Sequence, residues 1–388
     1  MRRLLAIILA ATMLFILCSC KTQPTTQPPE TTQATQTTSP TVSNDSIEYK
    51  QQPMYAVSLA PVTEETADDG GKVRFVYSYQ NLSLFLPEAE VAEKILIDYL
   101  SRIDKAEQYA DMVRTESLLD EYDSMGSPFM YNIAFTPMRL DTAVLSLLID
   151  EIEYMGWLHP NNYGTAVTYN LLSGNVLTLT EMLNENITAE NIADAVVAKL
   201  SDKDESLWTN YKEIVNEMFD SGLEQCENWY FSENGLCFHF DPYVLAPYAA
   251  GPITAVIPYS ELTGILRDEY FPAEQDIYTG TLDAETFTLE AQAEFTQFAE
   301  VVLVEGGTKI LLSAEGAITD IRIQAITNMY GGSNIDGCTI MSVQSLTPGD
   351  AIMVEFDPAT TILLIEYRNG DQYETKTITC NQDNITIS

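Results

Sequence analysis

Two histidines in 388 residues leave metal chemistry with few ligands, and neither stands at ligand spacing from another His, a Cys or a carboxylate. His159 sits in "GWLHPNN", which reads as a turn, and His239 in a strand, where it reads as a sheet histidine. No GxSxG elbow, SxxK, HExxH or glycine-rich phosphate loop occurs. No cofactor is implied. Carboxylate pairs are too common in this chain for any one to be promoted to an acid/base couple. Basic residues are also scarce, 19 against 57 acidic, for a net charge of −38. Such a balance argues against nucleic acid and polyanionic wall polymers as partners and favours cationic ones. Plain solubility is the competing explanation. The six cysteines include no CxxC spacing, so no metal framework is expected.

Long apolar runs are missing too. Leu4–Leu17, interrupted only by Thr12 and preceded by Arg2 and Arg3, is too short to span a bilayer and suits the apolar region of a signal peptide. It ends in Leu17-Cys18-Ser19-Cys20, which resembles a bacterial lipobox with Cys20 as the lipidated residue. The alternative is an ordinary secretory signal. Residues 1–20 are therefore expected to direct export, and a lipid at Cys20 to hold the protein on the extracellular face of the membrane. Losing Arg2 and Arg3 with the signal leaves 17 basic against 57 acidic residues, a net charge of −40. Residues 21–50 are rich in Thr, Gln and Pro without helical or strand period and read as a solvated tether.

The remainder is expected to be α+β. Tyr55–Leu59 and Lys72–Ser83 read as strands around an acidic turn at 63–71. A long helix follows, with Pro87 placed to open it. Phe129–Arg139 and Ala143–Tyr154 read as a strand pair, and Asn162–Leu172 as a strand running into a turn at 173–175. Leu179–Asn184, Ala189–Leu200 and Glu205–Ser221 read as helices. "DKDESLWTNYKE" nearly matches a calcium loop, with Asp202, Asp204, Ser206, Asn210 and Glu213 in place, but Leu207 stands where the turn needs glycine.

In "CENWYFSENGLCFHF", Asn234-Gly235 suits a two-residue type I′ hairpin turn. That register sets Phe231 opposite Phe238 and Trp229 opposite Phe240. One face then carries Trp229, Phe231, Leu236, Phe238 and Phe240. Cys226 and Cys237 would lie ~20 Å apart along the strand and could not bridge. The pairing of Cys338 and Cys380, in later strands, stays open. From about Pro272 short alternating strands suggest a separate small β-sandwich over 272–388.

"DPYVLAPYAAGPITAVIPYSEL", residues 241–262, reads mostly as a structural corner. Asp241-Pro242 stops the hairpin, Ala249-Ala250-Gly251 permits close approach, and Ile253–Ile257 is a strand. Tyr243 and Tyr248 are left over as amphipathic groups suited to contacting a partner.

"NWYFSENGLCFHFDPYVLAPYAAGPITAVIPYSEL" resembles the signature of the RsiV-type extracellular domain (domain of unknown function 3298). "NYGTAVTYNLLSGNVLTLTEML" resembles that family's earlier strand, turn and helix. The part from about Tyr55 is similar to a companion module (domain of unknown function 4163) seen also in the peptidoglycan deacetylase PdaC, whose catalytic domain has no counterpart here. On this resemblance residues 51–271 form one module, 51–160 the companion part and 161–271 the signature part, with 272–388 outside it. The anti-sigma factor that lends the family its name binds lysozyme through its extracellular part. This chain departs from it in showing no cytosolic sigma-binding segment and no full membrane span. The resemblance implies recognition at the cell surface: non-enzymatic binding of lysozyme or another cationic protein, with Asp241, Tyr243, Tyr248 and Tyr259 as contacts. Two alternatives stand beside it, a peptidoglycan- or glycan-binding module with an aromatic-lined groove, and a glycosidase with two carboxyls about 5–9 Å apart.

Overall fold

The computed structural model describes residues 53–119, 126–273, 279–327, 338–381 and 384–388, and only the backbone of 202–204, 327, 338, 380, 381 and 384. Cys20 and the 21–50 tether lie outside the described residues. The fold is α+β, with three sheets and five α-helices among the described residues.

β1 (Ala56–Ala67) and β2 (Val73–Phe85) form a long antiparallel pair. The residues expected as an acidic turn, 63–67, belong to the strand: Val62-Thr63-Glu64-Glu65-Thr66 alternates half-buried and exposed positions, which is strand period carried by polar residues. Only 68–71 turns, closed by the Asp68 carboxylate accepting from the Gly70 and Lys72 amides. α1 (Ala89–Ser117) begins two residues beyond Pro87 and buries Val91, Ile95, Tyr99, Ile103, Ala106, Ala110 and Val113 at helical spacing against the sheet. It carries the chain over to β3 (Phe129–Leu140), which pairs parallel with β2. β4 (Val144–Tyr154) and β5 (Asn161–Asn170) follow antiparallel.

α2 (Leu179–Met182) and α3 (Ala189–Leu200) each open on a capping box, Thr178 with Glu181 and Thr188 with Asn191. The expected helix over 205–221 is interrupted. Residues 201–206 form a 3-10 turn and α4 (Tyr211–Phe219) starts only after Trp208, whose amide bonds instead to the Leu245 carbonyl at 2.8 Å. The calcium-like run is thus divided between that turn and α4, with Asn210 as the helix N-cap.

β6 (Trp229–Ser232), β7 (Gly235–Phe240) and β8 (Ile253–Pro258) form a three-stranded sheet. The expected hairpin is present in a different register. Trp229 pairs with Phe238 and Phe231 with Leu236, so the loop is Glu233-Asn234. Neither loop residue has positive φ, so the type I′ turn is absent. A two-residue slip preserves side-chain parity, and all five apolar residues of the face are buried as expected. Gly235 serves another purpose: a Cβ there would lie 2.0 Å from the Ile257 carbonyl oxygen of β8. Cys226 and Cys237 are free and buried.

The C-terminal strands are β9 (Gly280–Thr286), β10 (Gln297–Val302), β11 (Thr308–Gly316), β12 (Ile318–Thr327), β13 (Cys338–Leu346), β14 (Asp350–Phe356), β15 (Thr361–Asn369), β16 (Gln372–Asn381) and β17 (Asn384–Ile387), with α5 (Leu289–Gln292) after β9. A four-stranded sheet, β10-β14-β11-β9, shares one core with the other five strands. Those five are not a sheet of their own. β13 pairs with β1 through Ala56↔Val343, giving a ten-stranded sheet ordered β17-β16-β15-β12-β13-β1-β2-β3-β4-β5. β1 and the residues just before it feed two cores: Met54 and Ala56 join the C-terminal one, Val57 and Leu59 the one beneath α1. Cys338 and Cys380 fall on strands separated by β12 and β15. Three strand spacings, about 14 Å, put their backbones beyond disulfide reach.

Candidate partner-binding surface

The hairpin ends at Asp241, and the loop 241–251 returns to β8 across the ends of β4 and β5. Leu245 and Ala246, both fully buried, root its middle in the core built by α2–α4 and β6–β8. The Val244 amide donates to the Asp241 carbonyl at 3.1 Å, closing a turn with Pro242 and Tyr243 at its centre. Tyr243 has φ 74°, one of two positive-φ non-glycine residues among those described. Proline followed by a positive φ is the arrangement of a type II turn, in which glycine normally takes Tyr243's place. A bulky L-residue held there costs on the order of 1–2 kcal/mol.

That strained residue is 59% exposed. Its hydroxyl lies 3.2 Å from His159 Nε2, and its carbonyl accepts from the Trp208 indole N–H at 3.3 Å. His159 stacks on Tyr248 with centroids 3.8 Å apart and 19° between planes, and the Tyr248 hydroxyl donates to the Pro160 carbonyl at 2.9 Å. Tyr243 and Tyr248 are 5.5 Å apart. Beside His159 stand Trp157, 69% exposed, and Leu158, 98% exposed. The result is an aromatic cluster of His159, Tyr243 and Tyr248, bonded to Trp208, with Trp157 and Leu158 exposed next to it along the chain. Of the four residues expected as contacts, Tyr243 and Tyr248 lie together in this cluster. Trp157, Leu158 and Trp208 were not expected there, although apolar residues in a polar turn such as "GWLHPNN" are a signal in themselves.

Asp241 is tied down through one carboxylate oxygen. Its Oδ1 accepts from the Gly164 amide at 2.6 Å and faces His239 Nε2 at 3.5 Å. His239 is 4% exposed and packs on Gly164 so closely that a Cβ there would come within 2.2 Å of the ring. Burial raises the Asp150 carboxyl above its ordinary range, against the pull of nearby His239 and with a further push from Asp241. These groups moor the loop to β4 and β5.

Tyr259 is turned inward. Its hydroxyl accepts from Arg139 and donates to the Ser232 carbonyl, both at 2.8 Å. Arg139 is buried, binds Asp141 through Nε at 2.7 Å and the Tyr270 carbonyl at 2.7 Å, and lies over the Phe231 ring at 5.0 Å. Tyr259 is thus part of a buried joint between β3 and the hairpin sheet, apart from the exposed patch. Burial pushes its hydroxyl pKa upward, Arg139 opposing. Burial also pushes the Cys226 thiol up to about 11 and raises that of Cys237.

Residues 180–260, which carry α3, α4, the hairpin and the 241–251 loop, match the model of the family described as protein of unknown function (DUF3298). Solved structures similar to the chain include a DUF3298 family member from Bacteroides fragilis, at 17% identity and TM-score 0.42, covering 55% of this chain and 94% of that one. Another is a DUF3298 family protein from Pseudomonas aeruginosa, at 15% identity and TM-score 0.40, covering 56% of this chain and 97% of that one. A comparison with curated proteins finds no match.

Proposed function

We propose that this protein is a non-enzymatic binder of a cationic extracellular protein, lysozyme or a similar hydrolase, tethered to the outer face of the membrane by a lipid on Cys20. It would act as inhibitor, decoy or sensor component. The observation that supports the reading is Tyr243, a large amphipathic side chain held in a costly backbone conformation, exposed, and braced by His159, Tyr248 and Trp208. Strain kept at a surface residue points to use at that residue. Rigid aromatic anchors lose little entropy on binding, and a processed chain at −40 (17 basic against 57 acidic residues) steers a cationic partner toward it.

Calorimetry with lysozyme tests this. Saturable binding is expected, weakening as ionic strength rises from about 0.02 to about 0.3 M because surface charge is screened. Tyr243→Ala and Trp157→Ala should each weaken it about tenfold or more, as buried aromatic anchors do. No binding at low salt, or binding indifferent to both variants, refutes the proposal. Radiolabelled palmitate incorporation lost in Cys20→Ala is the expected result for the anchor.

A further inference from the structure

On the other face of β4 and β5, away from the aromatic loop, a groove of about 450 Å³ opens between α1 and the strands β3–β5. Strand alternation makes it independent of the loop: Asp150 and Gly164 point toward His239, while Glu151, Glu153 and Tyr163 point into the groove. Ile133 and Ile149 are its apolar lining. Tyr163 is 51% exposed, and Tyr109 and Tyr131 meet edge to face at 5.1 Å.

Three of the groove's charged groups, Glu151, Glu153 and Arg102, are held by hydrogen bonds. Glu153, nearly buried, accepts from the Tyr109 hydroxyl and from Asn161 Nδ2 at 3.2 Å. Glu151 Oε2 accepts from the Tyr131 hydroxyl at 2.5 Å, and among the described residues Oε1 has no partner. Arg102 and Lys105 come from α1, with Arg102 Nε locked to Asp98 at 2.7 Å.

We infer that this groove binds an uncharged oligosaccharide. The groove's volume is within the range of small-ligand sites. A cation drawn to Glu151 and Glu153 would meet Arg102 and Lys105, and an anion drawn to those two would meet the glutamates. A neutral ring carrying hydroxyls satisfies both, donating to Glu151 Oε1 and accepting from Lys105. Its apolar C–H face lies against a tyrosine ring.

The experiment is calorimetry and saturation-transfer NMR on the purified protein with four probes. Two are uncharged, chitotetraose and cellotetraose. Two are charged counterparts, the tetramer of glucosamine and tetragalacturonate. At least one uncharged probe should saturate below about 10 mM, with both charged probes weaker by about tenfold. Tyr163→Ala, at an exposed position, and the isosteric Glu151→Gln should each weaken that binding about tenfold while leaving the melting temperature unchanged. Tyr243→Ala, on the opposite face, should leave it intact, so loss of lysozyme binding and loss of sugar binding are read separately. Failure of both uncharged probes to saturate, equal or tighter binding of a charged probe, or indifference to both groove variants overturns the inference.

Discussion

Tyr243 shows how one residue can be worth more to the surface than to the fold. Replacing a side chain by glycine usually costs stability relative to alanine, but at φ 74° the order should invert. Tyr243→Gly is expected to be about 1 kcal/mol more stable than Tyr243→Ala in chemical unfolding, since only glycine occupies that region freely. Asp150 gives a second test. Its carboxyl is raised by burial, so the folded state prefers the protonated form. The favourable contribution is present below the ordinary carboxylate range and lost as pH rises through the raised value. Asp150→Asn should therefore raise the melting temperature at about pH 8, with the gain shrinking toward about pH 5. Cys226 and Cys237, buried with raised thiol pKa values, should stay unalkylated by iodoacetamide in native buffer and react on denaturation, as read by peptide mass spectrometry. At this scale the sequence reveals residue type better than orientation. Two tyrosines in a proline-rich loop announce themselves, but nothing local says that Tyr259 turns toward Arg139, because that arginine is 120 residues away.

Among elements, parity survived where register did not. The hairpin's buried face was legible from alternation alone, and a slip of two residues leaves it unchanged. The loop position was not legible, because Gly235 is required by the neighbouring strand and not by the turn. Gly235→Ala should consequently disrupt β7–β8 pairing and cost about 3 kcal/mol or more in denaturant unfolding, where a turn glycine would cost about 1. Helices with apolar spacing were readable, and α3 occupies its expected span, Ala189–Leu200. The break between α3 and α4 comes from a long-range bond of Trp208 to the 241–251 loop, which no helical periodicity contains. β1 ran further than expected because its outer half keeps strand period with Thr and Glu, residues that composition assigns to turns.

Over the whole molecule, the shift to short strands after residue 272 is real, yet the larger sheet passes through it. Alternation identifies strands without naming their neighbours, so pairing of β13 with β1 was hidden. The continuous sheet should make residues 53–388 unfold in a single calorimetric transition, and two well-separated transitions would contradict it.

The same pairing bears on how the chain is made. Ala56 and Val343 stand 287 positions apart, so during synthesis the strand that closes β1 is among the last to appear. Until then, the apolar start of β1 has hydrogen-bonding groups and a side chain, Ala56, with nothing to cover them, the condition under which nascent proteins mispair. Products cut short before about residue 346 should be cleared or aggregate even though the 241–251 loop is intact in them, which makes completion of the chain a condition for displaying its surface.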